Sequence, residues 1–278
     1  MKQTILLFMI QVLLGSAYAQ QKEVLPLWAT EAPNRNGLEQ NTDYQEPQIT
    51  VYHPTNSNGK AIIMCPGGGY GMLAIQHEGH DMAEWMNSMG ITYVVLEYRL
   101  PNGHCEVPLT DAKRAIELVR SHAHQWNIDT KKVGIMGASA GGHLAATLAT
   151  QYGEEQYRPD FQILFYPVIT MSEAYAHHGS AYSLLGKEAS EELKTRFSCE
   201  KNVTKATPPA FIMLSSDDTG VYPQNSISYY NALIKNGIKV SLHSYPSGGH
   251  GWGFSDHFPF KSEWKNELEK WLNTLSLR

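Results

Sequence analysis

Residues 133–151 read VGIMGASAGGHLAATLATQ, and this stretch decides the fold. Its first four residues are an apolar run typical of a buried β-strand, and the residues after Gly142 recur with the spacing of an α-helix. Residues 137–141 lie between these patterns and match G-x-S-x-G. This context predicts a sharp strand-to-helix turn that pushes the hydroxyl of Ser139 into the open as a nucleophile. A glycine-rich turn without chemistry is the alternative, and the strand and helix on either side disfavour it.

Each residue type in this turn has a physical reason. A serine at such a bend adopts a strained backbone conformation, and Gly137 and Gly141 lack the Cβ atoms that would collide with the neighbouring strand and helix. The helix that follows points its N-terminus at any anion that develops beside Ser139, so its dipole favours that anion.

A second glycine-rich loop, residues 66–70 (PGGGY), follows another apolar run. In acyl transfer the carbonyl oxygen becomes an anion in the transition state, and it requires donors that are already aimed at it. We predict an oxyanion hole made by the amide of Ala140 and one or more amides of Gly67, Gly68 and Gly69. A phosphate-binding loop is disfavoured, because neither G-x-x-x-x-G-K nor G-x-G-x-x-G with a downstream acid is present here.

The general base is predicted to be a histidine near the C-terminus, because an unactivated serine is a poor nucleophile. Among 12 histidines, His250 is preferred, since residues 248–253 (GGHGWG) present it on a tight loop after the last predicted strand. His143 follows the nucleophile on the helix and is interpreted as structural. Residues 77–80 (HEGH) are one residue short of the zinc motif H-E-x-x-H, which makes a metal site there a weak interpretation.

The third member is predicted to be an acid on the loop after the strand at residues 210–214. Asp217 and Asp218 both qualify, and Asp218 is preferred, with the other carboxylate interpreted as a loop cap or a hydrogen-bonding neighbour. The chain order serine, aspartate, histidine matches one known order of these catalytic groups. Such an acid fixes the tautomer of His250 and stabilises its protonated form.

Short β-rich runs alternate with longer segments of helical period along most of the chain. This pattern predicts an α/β fold with a mostly parallel sheet covered by helices on both faces. The predicted strands are 49–53, 60–65, 92–98, 132–136, 161–166, 210–214 and 240–245, and the predicted helices are 79–89, 108–125, 140–151, 224–235 and 261–275.

The first 19 residues are predicted to be a cleaved signal peptide. Lys2 precedes an apolar run at residues 5–14, and residues 17–19 (AYA) have the small-x-small form of a cleavage site. The run is too short for a membrane anchor, and no cysteine follows it for lipid attachment. We therefore expect export of the chain.

The remaining residues divide into a lead-in and one domain. Residues 20–48 are predicted to be extended, and residues 49–278 to form a single α/β domain. Within that domain, residues 171–206 fit neither pattern and are interpreted as a small lid or substrate-facing segment. A solvated loop with one surface helix is the alternative for this segment.

The composition argues against several classes of partner. The formal net charge is −5 and no block of like charges occurs, so nothing indicates nucleic acid or an anionic membrane as a partner. Cys65, Cys105 and Cys199 are too few and too widely spaced for a disulfide framework or a zinc cluster. Cys65 is expected to be a buried free thiol. A disulfide between Cys105 and Cys199 is an alternative that the sequence does not decide.

Several of these stretches together resemble the bacterial secreted acetylxylan-esterase-like hydrolases of the α/β-hydrolase superfamily. The stretches are 66–70, 74–87 (AIQHEGHDMAEWMN), 98–100, 137–143, 216–223 and 248–253, and the likeness spans residues 26–275. The resemblance implies an α/β-hydrolase fold with a triad of Ser139, His250 and Asp218.

Two departures from the superfamily pattern stand out. The acid commonly follows H-G-x-x-D-x-x-V, and here Leu214 and Ser215 replace His-Gly while Asp218 holds the acid position and Val221 closes the pattern. Pro66 stands where lipase-like relatives carry the histidine of H-G-G-G. The loop amides are backbone groups, so oxyanion binding is expected to survive.

The resemblance also implies an activity, namely a serine esterase that removes short acyl groups, acetyl first, from plant polysaccharide such as xylan, in the periplasm or outside a bacterial cell. Neither a cofactor nor a metal is expected.

Tyr70, Tyr222 and Trp252 are candidates for stacking on sugar rings, and His177 and His178 for facing substrate. A feruloyl esterase or small lipase of the same fold is one alternative, and a non-catalytic carbohydrate-binding relative is an alternative of another class. A peptidase of this fold is disfavoured, because such peptidases usually carry an additional propeller domain.

Overall fold

The computed structural model describes residues 22–39 and 46–275, and the predicted signal peptide lies outside them. The strands in these ranges are β1 (Lys22–Pro26), β2 (Gln48–Tyr52), β3 (Ala61–Cys65), β4 (Thr92–Glu97), β5 (Val133–Ala138), β6 (Gln162–Phe165), β7 (Ala210–Ser215) and β8 (Val240–Tyr245). The helices are α1 (Ala83–Ser88), α2 (Glu106–Ser121), α3 (Ser139–Gln151), α4 (His178–Leu185), α5 (Glu191–Arg196), α6 (Gln224–Lys235) and α7 (Lys261–Thr274). None of these helices combines the length and the apolar character that a bilayer span requires.

The strands form one sheet in the order β1-β2-β4-β3-β5-β6-β7-β8. The β1–β2 and β2–β4 pairs are antiparallel, and all the other pairs are parallel. The chain places β4 on one side of β3 and then crosses to place β5 on the other side. In open α/β sheets a ligand crevice forms at the carboxyl ends of the strands at such a switch point. The predicted fold, a mostly parallel sheet of the α/β class, is confirmed.

Helices cover both faces of the sheet, as predicted from strands that are apolar at nearly every position. Alternate side chains of β3 enter two different cores. Ile63 packs in a cluster with residues of α2, α3 and α6, whereas Ile62 and Met64 pack in a cluster with residues of α1 and α7. The two cores hold the central strands rigidly, so the loops at their carboxyl ends have a fixed base.

The lead-in predicted at residues 20–48 is not simply extended, because part of it joins the sheet. Residues 22–26 form the edge strand β1, which pairs with β2. The sequence pattern missed this strand because none of its residues is buried, so it lacks an apolar face. Further along the segment, the indole of Trp28 donates to Asp111 of α2. The segment is therefore anchored both to the sheet and to a helix.

The 171–206 segment is more regular than its sequence suggested, since it holds the two short helices α4 and α5. Ser190 caps α5 in the usual way, with its hydroxyl oxygen accepting from the amide of Leu193. His177 caps α4, with its Nδ1 accepting from the amide of Ser180 at 3.2 Å. Histidine is not among the common N-cap residues, so sequence signals did not mark the start of α4.

All three cysteines are free, and Cys65 and Cys199 are buried. The bridge between Cys105 and Cys199 is therefore not formed. Burial raises the pKa of the Cys65 thiol, because a thiolate would lose its hydration there. Cys65 behaves as a small apolar residue at the end of β3.

Candidate active site

Ser139 lies at the turn between β5 and α3, at the carboxyl edge of the sheet beside the switch point. Its φ is +52°, in the left-handed region where a residue with a Cβ is strained. A Cβ on Gly137 would lie 2.1 Å from the carbonyl oxygen of Gly141, and a Cβ on Gly141 would lie 2.0 Å from that of Cys65. Any other residue at either position would push the helix or the strand β3 away, so the bend depends on both glycines.

The structure brings Ser139, His250 and Asp218 together in a linear chain of hydrogen bonds. Nε2 of His250 lies 2.8 Å from Oγ of Ser139, and Nδ1 lies 2.7 Å from Oδ2 of Asp218. Because a carboxylate only accepts, Nδ1 carries the proton, and Nε2 is left as the acceptor for the serine hydroxyl. The carboxylate of Asp218 is buried, and its Oδ1 accepts from the amides of Gly220 and Val221, each at 2.9 Å.

Asp217 has a different set of partners. Its Oδ1 accepts from the amide of Gly249 at 2.8 Å, and its Oδ2 accepts from the amide of Gly248 at 3.2 Å. Asp217 thus ties the loop after β7 to the glycine loop that carries His250. Asp218 orients the imidazole, and Asp217 holds the loop beneath it.

Access to the nucleophile is narrower than its position on a bend suggested. Ser139 is only 6% exposed, so the expectation of a hydroxyl in the open is wrong. Gly67 packs against it, since a Cβ added there would lie 2.9 Å from Cβ of Ser139. The side chain of His250 is 26% exposed. Solvent therefore reaches the imidazole more easily than the serine.

The amides that are free to act as oxyanion donors differ in one residue from the predicted set. The amide of Gly67 is already engaged, because it donates to Oε2 of Glu78 at 2.8 Å. The amides of Gly68 and Gly69 have no acceptor within the described parts of the chain. Ala140 is the second residue of α3, where an amide has no partner inside the helix. The geometry thus leaves Gly68, Gly69 and Ala140 as free donors and removes Gly67 from the set.

Glu78 links the two loops that flank the nucleophile. Its Oε2 holds Gly67, and its Oε1 accepts from the hydroxyl of Tyr166 at 2.7 Å. The oxygen of that hydroxyl accepts in turn from the amide of Gly253, three residues after His250, at 2.7 Å. Burial raises the pKa of Tyr166, so the phenol stays protonated and donates to Glu78.

Sequence reasoning missed this link. Glu78 drew attention only through the incomplete zinc motif at residues 77–80, and its carboxylate in fact contacts Gly67 and Tyr166. Nδ1 of His80, from the same motif, lies 2.9 Å from the hydroxyl of Tyr52. No local pattern marks these partners, because Tyr166 lies 88 residues away along the chain.

His143, interpreted as structural, connects three segments. Its Nε2 donates to the carbonyl oxygen of Phe197 at 2.7 Å, so its Nδ1 is unprotonated and accepts from the hydroxyl of Tyr70 at 2.9 Å. Burial lowers the pKa of His143 to about 4, so the ring is neutral near neutral pH. Tyr70 has a φ of +61°. The bond to His143 helps to hold this strained residue, which directly follows Gly69.

The candidates for sugar stacking divide into buried and exposed residues. Tyr70 is 2% exposed, and Trp252 is stacked on Phe258 with its indole donating to Ser215, so neither ring face is free and both expectations are corrected. Their apolar bodies fill the core more favourably than they would cover a surface. Tyr222 is exposed, and its stacking on a sugar ring stays a prediction.

His177 lies at the start of α4 and near the reacting groups. Burial and then the charge of His250 lower the pKa of His177. The neighbouring His178 is exposed. The charge of His250 thus acts on the start of α4, and a substrate-facing or lid function of the 171–206 segment stays a prediction.

A serine on the turn after one strand, an acid after a later strand and a histidine after the last strand of a mostly parallel sheet is the arrangement of α/β hydrolases. The chain belongs to this family, since the profile of the alpha/beta hydrolase fold matches residues 62–254.

Individual relatives give a finer comparison. The chain is 41% identical over 238 residues to an acetylxylan esterase of Xylanibacter ruminicola, a match that covers 84% of this chain and 49% of the relative. It is 36% identical over 220 residues to endo-1,4-beta-xylanase B of Butyrivibrio fibrisolvens, covering 74% of this chain and 34% of the relative. The chain therefore spans about half of the first relative and about a third of the second.

A solved structure matches over nearly its whole length. The crystal structure of an acetyl ester-xyloside bifunctional hydrolase from Caldicellulosiruptor lactoaceticus has a TM-score of 0.82 to this chain at 37% identity. The match covers 93% of this chain and 98% of that one.

Proposed function

We propose that this chain is a serine carboxylesterase that removes short acyl groups, acetyl first, from plant polysaccharide such as xylan. The observation that carries the proposal is the 2.8 Å contact between Oγ of Ser139 and Nε2 of His250, in a ring whose Nδ1 is held by Asp218. Both relatives and the solved structure are named for acetyl esters or xylan, which supports this substrate class.

The geometry supports a two-step acyl transfer. His250 accepts the hydroxyl proton as Oγ of Ser139 attacks the ester carbonyl, and Asp218 stabilises the imidazolium that forms. The amides of Ala140, Gly68 and Gly69 surround the carbonyl oxygen as it becomes negative. His250 then protonates the sugar oxygen as it leaves, and an acyl-enzyme remains. Water, deprotonated by the same imidazole, attacks the acyl-enzyme and releases the acid.

The limited exposure of Ser139 supports a small acyl group. Gly67 packs against Cβ of the serine, and only 6% of the residue is open to solvent. A long or aromatic acyl group would have to displace parts of these loops. We therefore expect activity to fall steeply from acetate to octanoate esters.

The nucleophile is tested by replacing Ser139 with Ala and measuring p-nitrophenyl acetate hydrolysis. We expect a loss of at least about a thousandfold, because no other group beside His250 forms the acyl-enzyme. Ser121→Ala, at the end of α2, is the matched control and should keep full activity. Turnover by Ser139→Ala at the rate of the control would contradict the proposal, provided that circular dichroism shows both variants folded.

The substrate class is tested by acetate release from acetylated xylan, beside ferulate release from a feruloylated arabinoxylan. We expect acetate release to dominate. Faster ferulate release would favour the feruloyl esterase alternative, and a preference for octanoate esters would favour a small lipase. Binding to xylan without release of any acid would favour the non-catalytic alternative.

We also propose that the protein is exported to the periplasm or the outside of the cell. Lys2, the apolar run at residues 5–14 and the small residues at 17–19 support this proposal. Sequencing the N-terminus of protein isolated from the native host should return Gln20 as the first residue. A chain that begins with Met1 or Lys2 would contradict it.

A further inference from the structure

A cavity of about 350 Å³ opens beside residues 67–70, which we call the oxyanion loop. The acyl-transfer chemistry does not use this cavity. One wall is Tyr70 and Gly71, which continue the loop of free amides. A second wall is the end of α4 and the turn after it, with Tyr182 and Lys187. Leu100, Asn102 and Gly103 also line the cavity.

Both walls begin at the reacting groups. The oxyanion loop starts at Gly67, which packs against Ser139, and it enters the cavity three residues later. Helix α4 starts at His177, close enough to His250 for the charge of one to shift the pKa of the other. At 1.5 Å per residue, Tyr182 lies roughly 7 Å along the helix from that point. The cavity therefore begins three residues along the chain from Gly67, the residue that packs against Ser139.

The cavity is preformed, because its parts are joined by hydrogen bonds. The amide of Gly103 donates to the carbonyl oxygen of Ser183 at 2.8 Å, which ties the 100–103 turn to α4. The side chain of Asn102 donates to the carbonyl oxygen of Asn36 at 2.9 Å. On the other wall, the bond from Tyr70 to His143 holds the loop. A ligand that enters would pay little to order these groups.

The surface chemistry of the cavity fits a carbohydrate better than an acyl chain. Tyr182 is 61% exposed, and its ring stacks on no other ring in the described ranges of the chain. An exposed aromatic face of this kind packs against the apolar face of a sugar ring, and its hydroxyl remains free to hydrogen-bond. Lys187 is exposed beside it and adds an ammonium group that can donate to sugar hydroxyls, whereas the amides of Gly71, Gly103 and Gly186 are already bonded within the chain. A fatty acyl chain would instead require an enclosed apolar lining.

We propose that this cavity is a subsite for a glycosyl unit of the polysaccharide adjacent to the acylated sugar, with Tyr182 as its stacking platform. The inference rests on the proposed esterase function and deepens it, because it states how a polymer is distinguished from a simple acetate ester. A larger cavity of about 470 Å³ is lined by residues of the N-terminal segment and by Arg99, and it includes no residue of the glycine loop or of α4.

The experiment compares Tyr182→Ala with wild type on two substrates. On p-nitrophenyl acetate, which has no glycosyl chain, we expect kcat and KM within about twofold of wild type. On acetylated xylooligosaccharides we expect KM to rise by roughly three- to tenfold with kcat little changed, as expected from loss of one ring contact. Tyr182→Phe should retain most of the binding, since it keeps the ring face.

The control and the contradicting outcomes are distinct. Ile234→Ala removes another exposed apolar side chain, on α6, and should leave kcat and KM unchanged on both substrates. An unchanged KM for the oligosaccharides in Tyr182→Ala would overturn the subsite, as would an equal loss on both substrates. A selective loss on octanoate esters would show that the cavity binds acyl chains instead. If the wild-type protein hydrolyses neither substrate, the esterase proposal itself fails, which is separable from a failure of the subsite alone.

Discussion

Asp217 and Asp218 are neighbours in the chain, yet their carboxylates hold different parts of the His250 loop. Asp218 is buried and bonded to the imidazole, and Asp217 is exposed and bonded to the amides of Gly248 and Gly249. A carboxylate that stabilises the imidazolium must contact the ring. A carboxylate that holds the loop requires only oxygens that accept from the loop amides. The two side chains should therefore respond very differently to the same substitution.

Changing each aspartate to asparagine tests this division. Asp218→Asn should lower kcat for p-nitrophenyl acetate by roughly four orders of magnitude, because an amide favours the wrong imidazole tautomer. Asp217→Asn keeps one acceptor oxygen for the loop and should cost no more than about tenfold. Equal losses in the two variants, measured under the same conditions, would contradict the assignment of the acid.

Glu78 offers a second test at this scale. Glu78→Gln can still accept from Gly67, but its amide nitrogen faces Tyr166, whose hydroxyl proton then loses its acceptor. We expect kcat to fall by about tenfold as both loops shift, and the free energy of unfolding to fall by roughly 1–3 kcal/mol. Steady-state kinetics and urea unfolding measure the two effects. A variant with wild-type kcat and lowered stability would show that Glu78 serves packing alone.

The elements around Ser139 are joined at their ends rather than along their lengths. His143 is the clearest case, since it bonds α3 to the oxyanion loop through Tyr70 and to the residue after α5 through Phe197. Since α4 and α5 belong to the same 171–206 segment, the proposed glycosyl subsite and the oxyanion loop share this support. The arrangement explains how a short inserted segment keeps a defined position without entering the sheet.

The neutral state of His143 gives this junction a pH dependence. Its pKa is lowered from 6.5 to about 4 in the folded chain, so the unfolded chain binds a proton first as the pH falls. The titration of His143 therefore leaves the free energy of unfolding unchanged above about pH 6.5. Between pH 6.5 and pH 4 it lowers that free energy progressively, by roughly 3 kcal/mol in total.

His143→Gln isolates this contribution, because glutamine can donate to Phe197, accept from Tyr70 and does not titrate. We expect the variant to be equal to or less stable than wild type at pH 7, and to lose less stability than wild type between pH 7 and pH 4.5. Urea unfolding at the two pH values measures this. Parallel losses in the two proteins would contradict the prediction.

At the scale of the whole molecule, the N-terminal segment is part of the fold. It supplies β1, and it meets the buried ion pair of Arg99 and Asp111, whose closest atoms are 2.7 Å apart. Arg99 also donates to the carbonyl oxygen of Asn34, and Trp28 donates to Asp111. The pair therefore holds together the segment, the end of β4 and the helix α2.

Removing one partner of this pair should destabilise the whole fold. Arg99→Met leaves the fully buried carboxylate of Asp111 without its counter-charge, and we expect a loss of about 3–5 kcal/mol. Arg35→Met, in the same segment, breaks an exposed ion pair with Glu31 and should cost less than about 1 kcal/mol. Urea unfolding followed by tryptophan fluorescence compares them, and similar midpoints for the two variants would contradict the prediction.

Features that depend on the spacing of neighbouring residues could be predicted from the sequence. The strand–glycine–serine–glycine–helix pattern at residues 133–151 predicts the bend, because only glycine avoids the close contacts at positions 137 and 141. Nearly every residue of the predicted strands is apolar, which predicts the mostly parallel sheet, since such strands must be covered on both faces.

Long-range contacts control which of the predicted groups are available to a substrate. Gly67 is excluded as an oxyanion donor by Glu78, and Tyr70 is turned into the interior by His143, two contacts that no local pattern encodes. The edge strand β1 has no buried side chain, so it forms only because β2 offers it a partner. Local backbone conformation depends on residues that are neighbours in the sequence. The hydrogen-bond partner of a buried polar group, in contrast, can come from any part of the chain that the fold places beside it.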